Sequence, residues 1–274
     1  MWNKTKELWN YFLFRLDPYR RLEARWRDPL EELLGLLAPE RVEGVAKIRV
    51  GAPHDGGYVM LDDFREISGA YSLGIGPDVR WDLALAQRGV PVWQYDPTVP
   101  GPPASDPLFT FQPWRIGTLD DPETQTVSLA SLIEMNKHQG ADLILKMDIE
   151  GAEWEVFAGI DPDLLRVFRQ IVVELHSLHR VAEPDWHQQA TSALTHLTRH
   201  HQVVHVHGNN LSSIVVAGDL RITESLEVTL ARRNAYSFVA TEETFPGAFD
   251  RANSWVFPDF PLGTFRYGAA SRKK

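Results

Sequence analysis

From residue 69 onward, short apolar runs alternate with stretches of helical spacing, and this alternation leaves few folds open to the chain. Ala70 to Ile75, Pro91 to Tyr95, Phe109 to Phe111, Leu143 to Met147, Ile171 to Leu175 and Val203 to Val206 read as strands. Asp78 to Arg88, Ser128 to His138 and Asp185 to His201 read as helices, the first opened by Asp78 as a cap and closed by Gly89. Strand–helix–strand units at this spacing predict an α/β fold with a Rossmann-like, doubly wound, mostly parallel sheet. Ser213 to Ala217 and Leu226 to Leu230 follow with only a turn between them, so they are expected as an antiparallel pair at one edge of that sheet. Residues 97–107 hold five prolines and a glycine and can only be loop.

Three segments are expected: a helical N-terminal cap or docking segment over 1–44, a main domain over 45–240, and a Pro-, Phe- and Gly-rich wrapping tail over 241–274. The opening segment carries Trp2, Leu8, Trp9, Phe12, Leu13 and Leu16, then Leu30, Leu33, Leu34 and Leu37, near helical spacing. Pro18 and Pro29 divide it into two or three short helices. Seven Lys/Arg against three Asp/Glu between Met1 and Arg27 give it a local charge of +4. Such an aromatic, basic opening can pack on its own domain, on a second subunit in a homo-oligomer, or against an anionic membrane surface.

Composition removes several chemistries. None of the 274 residues is a cysteine, which excludes disulfides, cysteine-ligated zinc, iron–sulfur centres and a thiol nucleophile. The formal net charge of −9 makes nucleic acid a poor partner. No apolar run reaches about 18 residues and no secretory signal opens the chain, so a cytoplasmic protein, with or without peripheral membrane contact, is expected.

Ligands of such a sheet sit at the carboxyl ends of its strands. The first strand ends Ser72-Leu73-Gly74-Ile75-Gly76-Pro77-Asp78, and two glycines one residue apart permit a tight turn and close approach of a ligand. The second ends at Asp96, 22 residues after Gly74, the spacing of an acid that accepts hydrogen bonds from an adenosine ribose. A dinucleotide fingerprint would need a third glycine where Val79 stands, and Pro77 has no N–H to offer a pyrophosphate. An adenosyl ligand without phosphate suits the loop better, and S-adenosyl-L-methionine is therefore the expected cofactor.

The fourth strand runs into Lys146-Met147-Asp148-Ile149-Glu150-Gly151-Ala152-Glu153-Trp154, with Asp148 at the strand tip and Glu150 or Glu153 as helix-start acids. Alternation puts Glu174 and His176 on one face of the next strand, and His205 and His207 on one face of the one after, before Asn209 and Asn210. Asp148, Glu174 and His176 could together ligate Mg²⁺ or Mn²⁺. A histidine near an acceptor hydroxyl is a candidate general base.

These segments resemble the FkbM-type methyltransferases and the neighbouring methyltransferase-like family that shares their motifs. The resemblance rests on Asp55-Gly56-Gly57-Tyr58, Ser72 to Gly76, Tyr95-Asp96-Pro97-Thr98, Leu145 to Trp154 and His205 to Asn210, and it covers about residues 45–235. It implies a class I S-adenosylmethionine-dependent methyltransferase, commonly an O-methyltransferase of sugars or secondary metabolites. Carried over by position, Gly74 and Gly76 would pass beneath the methionine part of the cofactor, Asp96 would hold the ribose, and Arg115 to Thr118 would wall the adenine. Asp148 would lie near the amino group or the transferred methyl, while Tyr58 and Asp55 would close over the site. Ser72 replaces the acid many methyltransferases carry two residues before the first glycine, which leaves Asp148 to recognise the amino group. The expected catalytic set is Asp148, His176, His207 and Asn209. Tyr58, Gly74, Gly76, Asp78, Asp96, Thr118 and Asp148 are expected at the cofactor, and a small-molecule or glycan hydroxyl as acceptor. Two other readings remain open: an NAD-dependent or nucleotide-sugar oxidoreductase, and a cofactor-binding module without catalysis.

Overall fold

A computed structural model describes residues 18–268. The apolar positions from Trp2 to Leu16, on which half of the helical N-terminal reading rests, lie outside the described residues. Before the main sheet come β1 (Tyr19–Leu22), helix α1 (Arg27–Gly35), β2 (Glu40–Val42), β3 (Lys47–Gly51) and β4 (Gly57–Leu61). Then follow β5 (Gly69–Leu73), α2 (Arg80–Ala86), β6 (Val92–Tyr95), β7 (Phe109–Gln112), β8 (Arg115–Gly117), β9 (Thr126–Ser128), α3 (Leu129–Met135) and β10 (Leu143–Met147). The chain continues with α4 (Glu153–Gly159), β11 (Phe168–Leu175), α5 (Pro184–His200) and β12 (His201–Gly208). Four short strands close it: β13 (Ile214–Ala217), β14 (Leu220–Thr223), β15 (Leu226–Arg232) and β16 (Phe238–Ala240).

Seven strands form the main sheet in the order β12-β15-β11-β10-β5-β6-β7. All neighbours run parallel except β15, which is antiparallel to both β11 and β12. The large, mostly parallel sheet is consistent with a methyltransferase fold. The antiparallel strand is not at an edge, as its sequence position suggested, but one place in. Its first six residues are all buried, and an outermost place would leave a row of backbone groups in this apolar strand unpaired. Nor does it pair with residues 214–217. Those form a separate three-stranded sheet with β14 and, in parallel, with β1. The excursion through β13 and β14 lets the chain leave β12 at the rim and return inside it.

The N-terminal expectation needs a second correction. Tyr19–Leu22 is a strand, and the only α-helix among residues 18–44 is α1. Pro29 does not break that helix: it occupies the first turn, where a missing N–H removes no intrahelical bond. Helix α2 is shorter than its cap predicted; Asp78 accepts from the Arg80 N–H at 2.9 Å and ends up outside the helix proper.

The two faces of the sheet follow the pleat. Leu143, Leu145, Met147, Ile171, Val173 and Leu175 pack with Leu30, Trp154, Phe157 and Leu194 on one side. Ala70, Val92, Ile144 and Val172 pack on the other with Val50, Tyr58, Met60, Trp81 and Leu85 of the β3–β4 hairpin and α2. Polar pins fix the hairpin there. Thr229 Oγ1 donates to the Val59 carbonyl at 2.6 Å, while the Gln170 amide accepts from Leu61 N–H and donates to Leu61 and Asp63 carbonyls. Residues 241–268 carry no regular element. Phe245, Leu262 and Phe265 anchor this segment in the core.

Candidate active site

The face covered by the hairpin turns polar toward the carboxyl ends of the strands. Gln94, Ser72 and Lys146 stand side by side across β6, β5 and β10. Glu174, Glu227 and His207 form a second row across β11, β15 and β12, two residues further along β11 than Val172, the partner of Lys146. Buried groups of this kind need hydrogen-bond partners, and two of them find theirs beside the first row. Gln94 donates to Asp82 at 2.8 Å, and Lys146 Nζ donates to the Gly74 carbonyl at 2.7 Å.

Beside this row the chain reverses at Gly74, where φ is +78°. A β-carbon there would fall 1.8 Å from the Asp148 carbonyl oxygen, so only glycine lets the tips of β5 and β10 approach this closely. Gly76, at φ +53°, faces open space. Asp96 clasps the loop. One oxygen accepts from Ile75 N–H at 3.0 Å and Gly76 N–H at 2.9 Å, and the other from Thr98 N–H at 2.7 Å and Thr98 Oγ1 at 2.6 Å. Gly74 N–H is itself bonded to the Tyr95 carbonyl at 2.9 Å. The three N–H groups of residues 74–76 are therefore occupied within the protein, and Pro77 has none.

Asp148 sits where the glycine turn, the hairpin and β11 converge. Its Oδ2 accepts from the Tyr58 hydroxyl at 3.1 Å, and its Oδ1 lies 3.8 Å from His176 Nε2. Burial and the Asp148 charge push the Tyr58 phenol well above its usual range. His176 Nε2 is also 3.4 Å from Glu174 Oε1. Its Nδ1 donates to Glu153 Oε1 at 2.8 Å, an oxygen that also accepts His176 N–H at 2.7 Å. Burial opposes the imidazolium, but Glu174, Glu153 and Asp148 outweigh it and raise the His176 pKa to about 11. Burial, and then the Asp148 charge, push the Glu174 carboxyl well up. Asn209 donates to Glu174 Oε1 at 2.7 Å.

His207 has a different setting. Its side chain is 1 % exposed, with Nδ1 2.9 Å from Glu227 and Nε2 3.0 Å from Asp259. Against the burial penalty, those two carboxylates raise its pKa to about 10. Both ring nitrogens donate, so at neutral pH the ring has no lone pair to accept a proton. The geometry brings Tyr58, Gly74, Asp148, Glu174, His176 and Asn209 together and leaves His207 sealed behind Glu227. Asp78 pairs with the Arg80 guanidinium beside the Gly56 turn, on the rim. The Thr118 methyl packs where Gly159, at the far end of α4, has no side chain.

Several participants lie beyond what strand-end reading finds. Glu153, whose sequence position marks it as a helix-start acid, is fully buried and orients His176. Glu227 stands with Thr229 in the polar phase of the Leu226–Val228–Leu230 alternation of β15, a signal that the sequence does carry. Asn253, which donates to Glu227 at 2.5 Å and to Asp55 at 3.3 Å, comes from the irregular tail, where no pattern marks it.

A glycine turn pressed against a strand-tip aspartate, beneath a carboxylate-lined rim, places a candidate ligand site at the carboxyl ends of the strands. Comparison with known proteins gives the class of protein this chain is similar to. Residues 70–203 match the family model of the methyltransferase FkbM domain, which bears out the resemblance seen in the motifs. The human protein named probable methyltransferase-like protein 24 is 29% identical over 117 residues, 39% of this chain and 32% of that protein. Its rat counterpart is 31% identical over 117 residues, with the same shares. The match thus spans about a third of the length of these curated relatives. Together these likenesses support a methyltransferase in general.

Proposed function

We propose that the chain is an S-adenosylmethionine-dependent O-methyltransferase acting on a hydroxyl of a small molecule or glycan. One observation carries the choice of cofactor over a dinucleotide: Asp96 and Tyr95 already occupy the N–H groups of residues 74–76, leaving that stretch no donor for a pyrophosphate. The sheet supports the same reading, a Rossmann-like arrangement with its ligand edge at the glycine turn.

The fit to an adenosyl ligand rests on the glycine positions. Gly74 admits the close approach to Asp148, and Gly76 leaves open space where a β-carbon would stand. Gly74, Gly76, Tyr58 and Asp148 would hold the cofactor. Asp96 would keep the loop in shape, a change from the direct ribose contact its spacing suggested. When bound, this cofactor supplies an activated methyl group that an acceptor oxygen takes by in-line displacement. Alignment of such a reaction is worth about 7–11 kcal/mol, and proton removal roughly 10²- to 10⁴-fold. Orientation therefore contributes more than proton removal, and the locked side chains serve it: Tyr58 fixes Asp148, Glu153 fixes His176, and Asn209 fixes Glu174. The acceptor hydroxyl would lie at the cluster where Asp148 and Glu174 face His176, and its proton would leave there. His176, held by Glu153, would position the groups around it. His207 shores up Glu227 from behind.

Transfer of labelled methyl from S-adenosylmethionine to a panel of hydroxyl-bearing acceptors tests the proposal. Methylation by the wild type, lowered in His176→Ala at nearly unchanged affinity for S-adenosylhomocysteine, is expected. Equal loss of turnover and affinity would move His176 into the cofactor or structural shell.

A further inference from the structure

We infer that Asp148, Glu174 and His176 form a binding site for one divalent cation, with Mn²⁺ the best-matched ion. Oδ1 of Asp148, Oε1 of Glu174 and Nε2 of His176 lie 3.4 and 3.8 Å apart across the histidine, and one ligand atom from each residue falls within 4.8 Å of the others. Ligands at about 2.1–2.2 Å from a six-coordinate ion stand about 3 Å apart when adjacent and just over 4 Å when opposite. Both distances at His176 Nε2 fall within that interval.

Acidic groups gather at many surfaces without an ion, so proximity alone would not suffice. What distinguishes this trio is that each member is held by its own outer partner. The Tyr58 hydroxyl binds Oδ2 of Asp148, leaving Oδ1 turned toward His176. Buried Glu153 binds Nδ1 of His176 and so sends Nε2 inward. That nitrogen faces the oxygens of Asp148 and Glu174 without making a hydrogen bond to either. Asn209 holds Glu174. A carboxylate on the distal nitrogen of a histidine is the arrangement that orients metal-bound imidazoles elsewhere. On binding, the ion replaces the Nε2 proton, which leaves to solvent. Two carboxylates with one imidazole suit Mn²⁺ better than Mg²⁺, which prefers oxygen alone. Glu150, exposed and 4.0 Å from His176 Nε2, stands on the solvent side.

The site stands on these residues and not on the identity of the methyl donor, so it is tested without one. Mn²⁺ alone is titrated into the full chain by calorimetry, with the electron paramagnetic resonance of free Mn²⁺ as a second readout. One ion per chain is expected, with at least tenfold weaker binding in His176→Ala and in Glu174→Gln. Glu153→Gln, which leaves all three ligands in place, should weaken binding by a smaller factor. Thermal melts check that each variant is folded, and a separate S-adenosylhomocysteine titration keeps failure of the cofactor reading distinct. Absence of Mn²⁺ binding to the folded wild type, or binding unchanged in folded His176→Ala and Glu174→Gln, would overturn the inference.

Discussion

The Tyr58 hydroxyl donates to Oδ2 of Asp148 at 3.1 Å, joining the hairpin laid over the sheet to the tip of β10. A hydrogen bond to a charged group of this kind contributes about 1.5–3 kcal/mol. Tyr58→Phe keeps the ring in its buried place and removes only this bond. Denaturant unfolding should show a loss of at most about 3 kcal/mol, while methyl transfer drops by a larger factor because Asp148 is no longer oriented. Equal turnover in the variant would mean that Tyr58 does not orient Asp148 for transfer.

The two glycines of the turn should respond unequally. Gly74→Ala incurs the left-handed penalty of about 1–2 kcal/mol and also drives a methyl group into the Asp148 carbonyl. Gly76→Ala meets nothing within 4 Å and incurs the backbone penalty alone. Thermal melts of the pair should rank Gly74→Ala well below Gly76→Ala, with cofactor affinity following the same order.

Asp96 accepts four hydrogen bonds from its own chain, so its loss acts first on the shape of the glycine loop. Asp96→Ala should destabilise the protein by about 1–3 kcal/mol and weaken S-adenosylhomocysteine binding. Asp96→Asn, with one acceptor oxygen left, should fall between. Chemical denaturation and calorimetry on the three proteins would reveal a pure ribose contact instead, as lost affinity at unchanged stability.

His207 gives the fold a pH dependence with a definite sign. Its folded pKa of about 10 lies above the ordinary histidine value of 6.5, so the folded state favours the proton. Its stabilising contribution is complete below about pH 6.5 and is lost as pH rises toward 10, at a slope of at most about 1.4 kcal/mol per unit. Urea unfolding at pH 6.5 and 9.5 should show the wild type weakening more than His207→Gln. Parallel curves would mean that the ring is not held as a cation.

Much of the main sheet is legible in the sequence because buried parallel strands are short apolar runs, and Leu143 to Met147 announces itself. Helices Pro184–His200 and Leu129–Met135 follow from spacing and from the Ser128 cap. The position of β15 is not legible: sequence adjacency says which strands are close along the chain, not which gap in a sheet a returning strand enters. For the same reason Tyr19–Leu22, whose partner is nearly two hundred residues away, gives no local sign of being a strand. At the site, strand-end residues such as Asp148 and Glu174 can be read from alternation. The network that sets their state depends on Glu153, Glu227, Asn253 and Asp259, brought in by tertiary packing. That network also decides the state of His207, whose sequence position is compatible with a base while its two carboxylate partners are not.

Everything proposed for the chemistry depends on the loop from Gly74 to Gly76 cradling an adenosyl cofactor. Calorimetric titration of S-adenosylhomocysteine into the purified full chain tests this, with Gly74→Ala and nicotinamide dinucleotides as comparisons. One micromolar site per chain is expected in the wild type, with strong weakening in Gly74→Ala and no comparable heat with a dinucleotide. A well-folded wild type that ignores S-adenosylhomocysteine, or that binds a dinucleotide in its place, would contradict the proposed cofactor.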